Sequence, residues 1–298
     1  IIPALQMMEG FNNDIRNVVA FNKSAYGLDV TLLSQTTKAD WDKEVQYIQQ
    51  KLTPTVIDEA FKSFPQEILD ENILDLKNIL ISRIMNLPRI ADDYFSALNR
   101  YVVIKGTDKD DWFEINNLSK HEVEIKAFRN ISGKKDKLFY QKKFNSNITK
   151  EIWIYGLDDD DIFEVAGTKG NQIKIRLIGG QNNDVYDVSE SSNTWIYDHR
   201  SKKNTFKKIK GAKLRLTNNY ETNTYQPLKL RNSTRQIIPT IGFNPDDGMK
   251  LGFSATNTFY GLRQNPYTTQ HHYNAAYYFA TNGFELGYKG EFAHILDN

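Results

Sequence analysis

Three stretches of the chain share one pattern: GTDKDDWFEI at residues 106–115, GLDDDDIFEV at residues 156–165 and GGQNNDVYDV at residues 179–188. In each stretch a glycine precedes an aspartate by five positions, and an alternating β-type run follows. Stacked copies would align apolar strands inside and carboxylates along one edge, as in a small β-solenoid or sandwich. The segment Ile196–Asp198 has the features of the start of a degenerate fourth copy. The sequence therefore predicts a β-rich repeat domain with acidic turns over residues 101–235.

The bulk composition narrows the possible function classes. Among the 298 residues, 38 basic side chains nearly cancel 37 acidic ones, so net charge gives no argument for a nucleic-acid partner. The absence of cysteine excludes disulfides, thiolate metal sites and cysteine nucleophiles. No apolar run approaches the roughly 20 residues that a membrane-spanning helix needs. The sequence opens at Ile1 without an initiator methionine or a signal segment, which favours a fragment or a processed product.

Upstream of the repeats the hydrophobic spacing is helical. Apolar residues recur every three or four positions from Trp41 to Leu98, after a capping signal that begins at Thr37. Thr53 before Pro54 is typical of a second helix start, because proline is favoured at the first helical position. We therefore expect a helical region over residues 1–100 and an α+β fold for the whole chain.

The last part of the chain has longer alternating runs. Met249–Tyr260, Tyr267–Ala280 and Phe284–Leu296 each reach the roughly 9–11 residues of a tilted transmembrane strand. Turn signals such as Asn244–Gly248 separate the runs. Residues 236–298 are therefore predicted to form the first antiparallel strands of an incomplete transmembrane β-barrel. Such a barrel needs at least 8 strands in a single chain, so further strands are expected outside this sequence.

An ordered set of motifs resembles a known family. The motifs are FNNDIRN at 11–17, LLSQ at 32–35, YGLDDDDIF at 155–163 and IGG at 178–180 with Asn183, Asp184 and Tyr186 behind it. This set resembles large Gram-negative envelope proteins in which a calcineurin-like metallophosphoesterase domain is joined to a surface-antigen-type outer-membrane barrel. The resemblance implies a segment between the upstream domains and the barrel. It also implies an outer-membrane location, with the soluble part in the periplasm or at the cell surface.

The resemblance carries over no catalytic residue. Phosphoesterases of this kind hold two metals with Asp-x-His and Gly-Asn-His elements, and neither element is present here. The five histidines are His121, His199, His271, His272 and His294. If the complete protein is a metal-dependent phosphoesterase, that activity is implied for residues outside this chain.

The acidic turns give one candidate metal site. The segment 179–184 is similar to the calcium-binding pattern G-G-x-G-x-D, with Asn182 in place of the third glycine. Calcium takes 6–8 oxygen ligands, which neighbouring turns would supply if they stack. The candidate ligands are Asp158, Asp159, Asp160, Asp161 and Asp184. The alternative is that these side chains cap solvated turns by accepting from nearby backbone N–H groups.

These observations predict a non-catalytic connector. The helical region would pack on an upstream domain, and the last hairpins would enter the lipid of the outer membrane. The expected partners are this lipid and the upstream and downstream domains of the same parent protein, or other envelope proteins. The alternative is a soluble, calcium-stabilised β-repeat binding module of a surface or secreted protein. A basic segment before the last strands would meet anionic lipid or form a solvated strand face. Its members are Lys202, Lys203, Lys207, Lys208, Lys210, Lys213 and Arg215.

Overall fold

The computed structural model describes residues 10–189, 193–227, 233–263 and 265–295. Most of the described helices come first and the strands follow, so the α+β prediction is confirmed. The chain forms two compact units that divide between Tyr225 and Gln226. None of the described helices has the length and hydropathy to cross a membrane.

The first unit begins with short helices whose ends follow from their capping residues. They are α1 (Val18–Phe21), α2 (Tyr26–Leu32), α3 (Lys38–Lys51), α4 (Pro54–Lys62), the 3-10 turn Gln66–Ile68, α5 (Glu71–Met85) and α6 (Leu87–Leu98). Thr37 and Asp40 form a reciprocal capping box at the start of α3, and Thr53 caps α4 with Pro54 in its first turn. The helix starts predicted at these two positions are confirmed.

A parallel β-solenoid follows the helices. Its strands are β1 (Tyr101–Lys105), β2 (Asp111–Asn117), β5 (Glu151–Leu157), β6 (Ile162–Gly167), β7 (Lys174–Gly180), β8 (Val185–Val188), β9 (Thr194–Asp198), β10 (Thr205–Ile209) and β11 (Lys213–Leu216). They alternate between a five-stranded sheet in the order β1-β5-β7-β9-β11 and a second sheet that contains β10-β8-β6-β2. Each pair among these neighbours is parallel, so successive coils stack in register. Of the two architectures that the repeats predicted, the structure has the solenoid.

An antiparallel hairpin interrupts the coils. Strands β3 (Glu122–Ile131) and β4 (Lys134–Asn145) lie between β2 and β5 in sequence and extend the second sheet beyond β2. On β4, the buried Lys142 Nζ donates to Ser34 O at 3.0 Å, Thr36 O at 2.8 Å and Asn99 Oδ1 at 2.9 Å. Burial lowers the pKa of this ammonium to about 8. Lys142 therefore ties the helical layer to the solenoid.

The solenoid core is filled by one residue in two from each strand. Inward-pointing aliphatic side chains such as Ile154, Leu177 and Ile196 are 0% exposed. Burying a side chain of this size contributes about 1.5–3 kcal/mol to folding. The unit closes with the short helix α7 (Tyr220–Asn223), which packs beside β7 and β9.

The second unit is a four-stranded antiparallel sheet. Its strands are β12 (Ser233–Asn244), β13 (Gly248–Phe259), β14 (Thr269–Tyr278) and β15 (Gly283–Phe292), paired in that order. The last three correspond to the predicted runs, and their antiparallel pairing is confirmed. Leu296, the predicted end of the last run, lies outside the described residues. Strand β12 begins at Ser233, before the predicted domain boundary at residue 236.

Candidate functional sites: the acidic turns and the apolar sheet face

Each acidic turn of the solenoid folds an aspartate back over the glycine that precedes it by five positions. A Cβ added to Gly106 would lie 2.7 Å from Asp111 Oδ2, and one added to Gly156 would collide with the Asp161 carboxylate. Gly179 has the same relation to Asp184. The repeated glycine is therefore needed because the carboxylate occupies the space of its missing side chain.

The three inner aspartates form a hydrogen-bonded row. Asp111 N donates to Asp161 Oδ1 at 2.8 Å, and Asp161 N donates to Asp184 Oδ1 at 2.9 Å. Asp184 N continues the row by donating to Asn204 Oδ1 at 2.8 Å. Each side chain thus satisfies a backbone donor of the preceding coil, where the turn leaves that donor outside the sheet ladder. The predicted alignment of the repeat carboxylates along one edge is confirmed for Asp111, Asp161 and Asp184.

A second row runs in the opposite direction, one residue earlier in each turn. Asp160 N donates to Asp110 Oδ1 at 3.2 Å, and Asn183 N donates to Asp160 Oδ1 at 3.0 Å. Lys203 N then donates to Asn183 Oδ1 at 2.9 Å. In the first, inner row each side chain accepts a hydrogen bond from a backbone N–H of the preceding coil. In this second, outer row each side chain accepts one from a backbone N–H of the following coil. The acidic turns therefore join adjacent coils in both directions.

Burial raises the pKa of the carboxyl groups in the inner row. Asp111, Asp161 and Asp184 are all 0% exposed. Desolvation, followed by the charge of Asp184, raises the pKa of Asp161 to about 10. Desolvation, followed by the charge of Asp198, raises the pKa of Asp184 to about 8. Asp111 is held by Arg129, which opposes the upward shift that burial gives the pKa of this carboxyl.

The fourth turn has other residues at the repeat positions, and a neighbouring side chain compensates for the change. Asp198 occupies the position of the repeated glycine, and Asn204 occupies that of the aspartate. The Asp198 Oδ2 accepts a hydrogen bond of 2.7 Å from the Tyr186 hydroxyl. Tyr186 is the one tyrosine in a stack that otherwise holds Phe113, Phe163 and Phe206, with ring centroids 5.0–5.4 Å apart. The degenerate fourth copy expected at Ile196–Asp198 is therefore present.

The structure separates the five predicted metal ligands into two groups. Asp158, Asp159 and Asp160 are exposed, whereas Asp161 and Asp184 are buried in the inner row. Asp158 Oδ1 accepts from Asp159 N at 3.0 Å and from Asn182 Nδ2 at 3.2 Å. No group of three or more His, Asp or Glu side chains arranged to hold a metal is found among the described residues. The geometry favours the capping interpretation for Asp160, Asp161 and Asp184.

The roles of several residues in and beside the rows were not predicted from the sequence. These are Asp110, Asn183, Asn204 and Tyr186. The sequence carried a signal for three of them, because Asp110 and Asn183 precede the repeated aspartate by one position and Tyr186 follows it by two. Treating the repeat position by position, with Asn and Asp as equivalent acceptors, would have found the two rows.

The second candidate surface is one face of the four-stranded sheet. Directly paired residues of antiparallel strands point to the same side. The rows on this face are Ile241–Leu251–Tyr277–Phe284, Pro239–Phe253–Ala275–Leu286 and Ile237–Ala255–Tyr273–Tyr288. Many of these side chains are exposed, with Phe284 at 79% and Leu286 at 82%. We call this surface the apolar sheet face.

The opposite face of the same sheet is polar. Lys250 Nζ contacts Tyr278 Oη and Glu285 Oε2, both at 3.3 Å, and Gln270 Nε2 donates to Thr258 Oγ1 at 2.8 Å. His271 and His272 point to opposite faces, because successive side chains of a strand alternate. The sheet therefore has one hydrogen-bonded polar side and one apolar side.

Comparison of the chain with protein-family models, with curated proteins and with solved structures finds no match. The resemblance to phosphoesterase–barrel envelope proteins therefore stays a prediction that rests on the motifs quoted above.

Proposed function

We propose that this chain is a non-catalytic connector and membrane-anchoring segment of a larger outer-membrane protein, in which the four-stranded sheet forms part of a transmembrane barrel. The observation that carries the proposal is the apolar sheet face. Large apolar patches on a protein surface mark contacts with a partner or a membrane, because monomeric soluble proteins rarely expose them. The exposed side chains Ile241, Phe284 and Leu286 lie on this face.

Strand length and alternation support the same proposal. The four strands have 12, 12, 10 and 10 residues, close to the roughly 9–11 that span the hydrocarbon layer when tilted. Transmembrane barrels alternate lipid-facing apolar residues with polar residues that line the interior. The network of Lys250, Tyr278 and Glu285 is chemistry suited to a wet interior.

The sheet edges indicate what such a barrel would still require. Within the described residues, β12 pairs only with β13, and β15 pairs only with β14. Lipid cannot hydrogen-bond the open edges of these outer strands, so further strands have to complete the sheet. Under this proposal they come from the rest of the parent protein or from other chains, and the solenoid and helices serve as the connector.

A matched pair of lysine substitutions on β12 tests the proposal. Ile241→Lys places a charge on the apolar sheet face, and Thr240→Lys places the same charge on the polar face one residue away. At mid-bilayer a lipid-facing lysine costs about 2–4 kcal/mol. We expect the 298-residue chain to float with phosphatidylcholine vesicles, Ile241→Lys to reduce that association, and Thr240→Lys to leave it unchanged. Wild-type chain that stays monomeric in water and does not associate with vesicles would overturn the proposal.

The second candidate function is the calcium-stabilised β-repeat module. It is favoured by the exposed Asp158 and Asp159 beside Asn182 and by Asp161 Oδ2 and Asp184 Oδ2, which accept no hydrogen bond from any described residue. A cation that binds only the folded chain would raise its melting temperature. Melting with and without calcium, compared with magnesium and with Asp158→Asn/Asp159→Asn, tests it. A calcium shift that the double variant abolishes supports the module, and the absence of any shift rejects it.

A further inference from the structure

A cluster of cations surrounds one indole on the outer face of the five-stranded sheet. Trp195 on β9 pairs in register with Arg176 on β7 at one side and with Lys213 on β11 at the other. Lys174 Nζ lies 4.4 Å from the centroid of the Trp195 ring, and Lys213 Nζ lies 5.0 Å from it. The guanidinium carbons of Arg215 and Arg176 lie 5.3 and 5.7 Å from the same point. The ring therefore holds four positive charges close together by cation–π attraction.

One carboxylate balances only part of this charge. Glu151 accepts from Arg176 Nε and, at 2.6 Å, from Trp153 Nε1, so it is committed to the buried Arg176. Lys174 Nζ lies 3.9 Å from the other oxygen of Glu151. No described carboxylate forms an ion pair with Lys213 or Arg215. Burial lowers the pKa of Lys174, and the charges of Arg176 and Lys213 lower it further.

The exposed side chains of this cation cluster are accessible to a ligand. Lys213 and Arg215 are exposed on β11, the outer strand of the sheet, and Lys174 and Trp195 are half-buried. Charged residues on an edge strand also prevent edge-to-edge pairing of sheets. That role needs only exposure, and Lys207 and Lys208 on the outer strand β10 meet it equally. It does not explain why the cations of the five-stranded sheet gather about one ring.

We propose that Lys174, Lys213 and Arg215, gathered around Trp195, bind a phosphate group of an anionic ligand. A phosphate monoester carries close to two negative charges and three acceptor oxygens. An arginine fork binds such oxygens in pairs, and lysine ammonium groups add point charges. The indole and the pairing of Arg176 with Glu151 hold the cations in place before the ligand arrives. The same chemistry is offered by a soluble phosphate and by the phosphate head group of a lipid.

Calorimetric titration of the full chain in neutral detergent with inorganic phosphate and with pyrophosphate, at fixed ionic strength, tests the site. Lys213→Gln/Arg215→Gln removes two of its charges, and Lys207→Gln/Lys208→Gln removes two charges from β10 as the matched control. We expect the first double variant to weaken binding by about tenfold or more and the control to change it by less than about twofold. Arg215→Lys, which keeps the charge, should give an intermediate loss because the fork is gone.

Further outcomes decide whether the phosphate belongs to a lipid or to a soluble ligand, and whether the site binds phosphate at all. Vesicles of phosphatidylcholine with phosphatidic acid, compared with phosphatidylcholine alone, report a lipid head group if the added affinity disappears in Lys213→Gln/Arg215→Gln. Tight pyrophosphate binding without that added affinity indicates a soluble ligand. Equal weakening by both double variants, or no binding of either anion by wild-type chain, would overturn the proposal. Membrane insertion of the four-stranded sheet is not required for any of these results.

Discussion

The solenoid and the four-stranded sheet are built from the same alternating sequence pattern. They differ in how far they bury its apolar side chains. In the solenoid, Ile154 is 0% exposed because the second sheet covers its face. In the four-stranded sheet, Leu286 is 82% exposed although it also occupies the apolar side of a strand. Alternation with a period of two therefore identifies the residues that share a face. It does not identify what covers that face.

The largest expected effect is a difference in unfolding free energy between truncation of a covered side chain and truncation of an uncovered one. Phe163→Ala removes a 0% exposed ring from the aromatic stack and should cost about 3–5 kcal/mol of unfolding free energy. Leu286→Ala should change the aqueous stability by less than about 0.5 kcal/mol, because its side chain is already solvated. Urea unfolding of both variants checks the prediction. A loss of more than about 2 kcal/mol for Leu286→Ala in water would mean that a soluble contact covers the apolar sheet face.

A glycine substitution probes the inner row from the backbone side. Gly156→Ala places a methyl group against the Asp161 carboxylate and the carbonyl oxygen of Gly179, and should cost about 1–3 kcal/mol. Gly27→Ala in α2 is the control, because no atom lies within 4 Å of its added Cβ and alanine favours a helix. Thermal unfolding of the two variants is the measurement. Equal melting temperatures for both would show that the turn has room to rearrange.

The next effect concerns pH and distinguishes the buried carboxyls from the exposed ones. Asp161, with a folded pKa of about 10 against 3.8 for the ordinary group, binds more protons when folded than when unfolded. Its contribution to stability is therefore complete below about pH 4 and is lost as the pH rises towards 10. Asp184 adds a loss of the same sign, which builds up above about pH 4 and ends near pH 8. Wild-type stability should fall between pH 7 and pH 9 by about 1 kcal/mol or more.

Asp161→Asn isolates that effect. The amide keeps the oxygen that accepts from Asp111 N, and it cannot ionise, so the fall in stability between pH 7 and pH 9 should become shallower. The opposing contribution of Lys142, whose folded pKa of about 8 is lowered, is common to both proteins and cancels in the difference. Asp158→Asn, at an exposed position of the same turn, should leave the slope unchanged. Identical slopes for wild type and Asp161→Asn would show that Asp161 is ionised in the folded chain.

The repeats made a solenoid- or sandwich-like domain with a row of carboxylates predictable, because the spacing from Gly156 to Asp161 recurs in the first three copies. The division of four consecutive aspartates was not predictable. It depends on which side chain of the turn points inward, and Asp161 does so whereas Asp158 does not. The gathering of Lys174 and Lys213 about Trp195 also escaped sequence analysis, because residues far apart in the chain become neighbours only when coils stack in register. Among the basic residues that seemed equivalent in sequence, Lys207 and Lys208 thus lie on one sheet and Lys213 and Arg215 on the other.

The smallest predicted effect tests whether the two irregular residues of the fourth turn compensate each other. Tyr186→Phe leaves the buried Asp198 carboxyl without its 2.7 Å hydrogen bond, and Asp198→Gly leaves the buried hydroxyl of Tyr186 without an acceptor. Each single variant should lose about 1–3 kcal/mol, the cost of an unsatisfied buried polar group. The double variant restores the pattern of the other coils, so its loss should be smaller than the sum by about 1 kcal/mol. The backbone freedom that glycine adds is the same with either residue at position 186 and cancels in the cycle. Urea unfolding of the four proteins at one pH gives the coupling energy, and a value of zero would mean that the tyrosine and the aspartate are independent irregularities of the repeat.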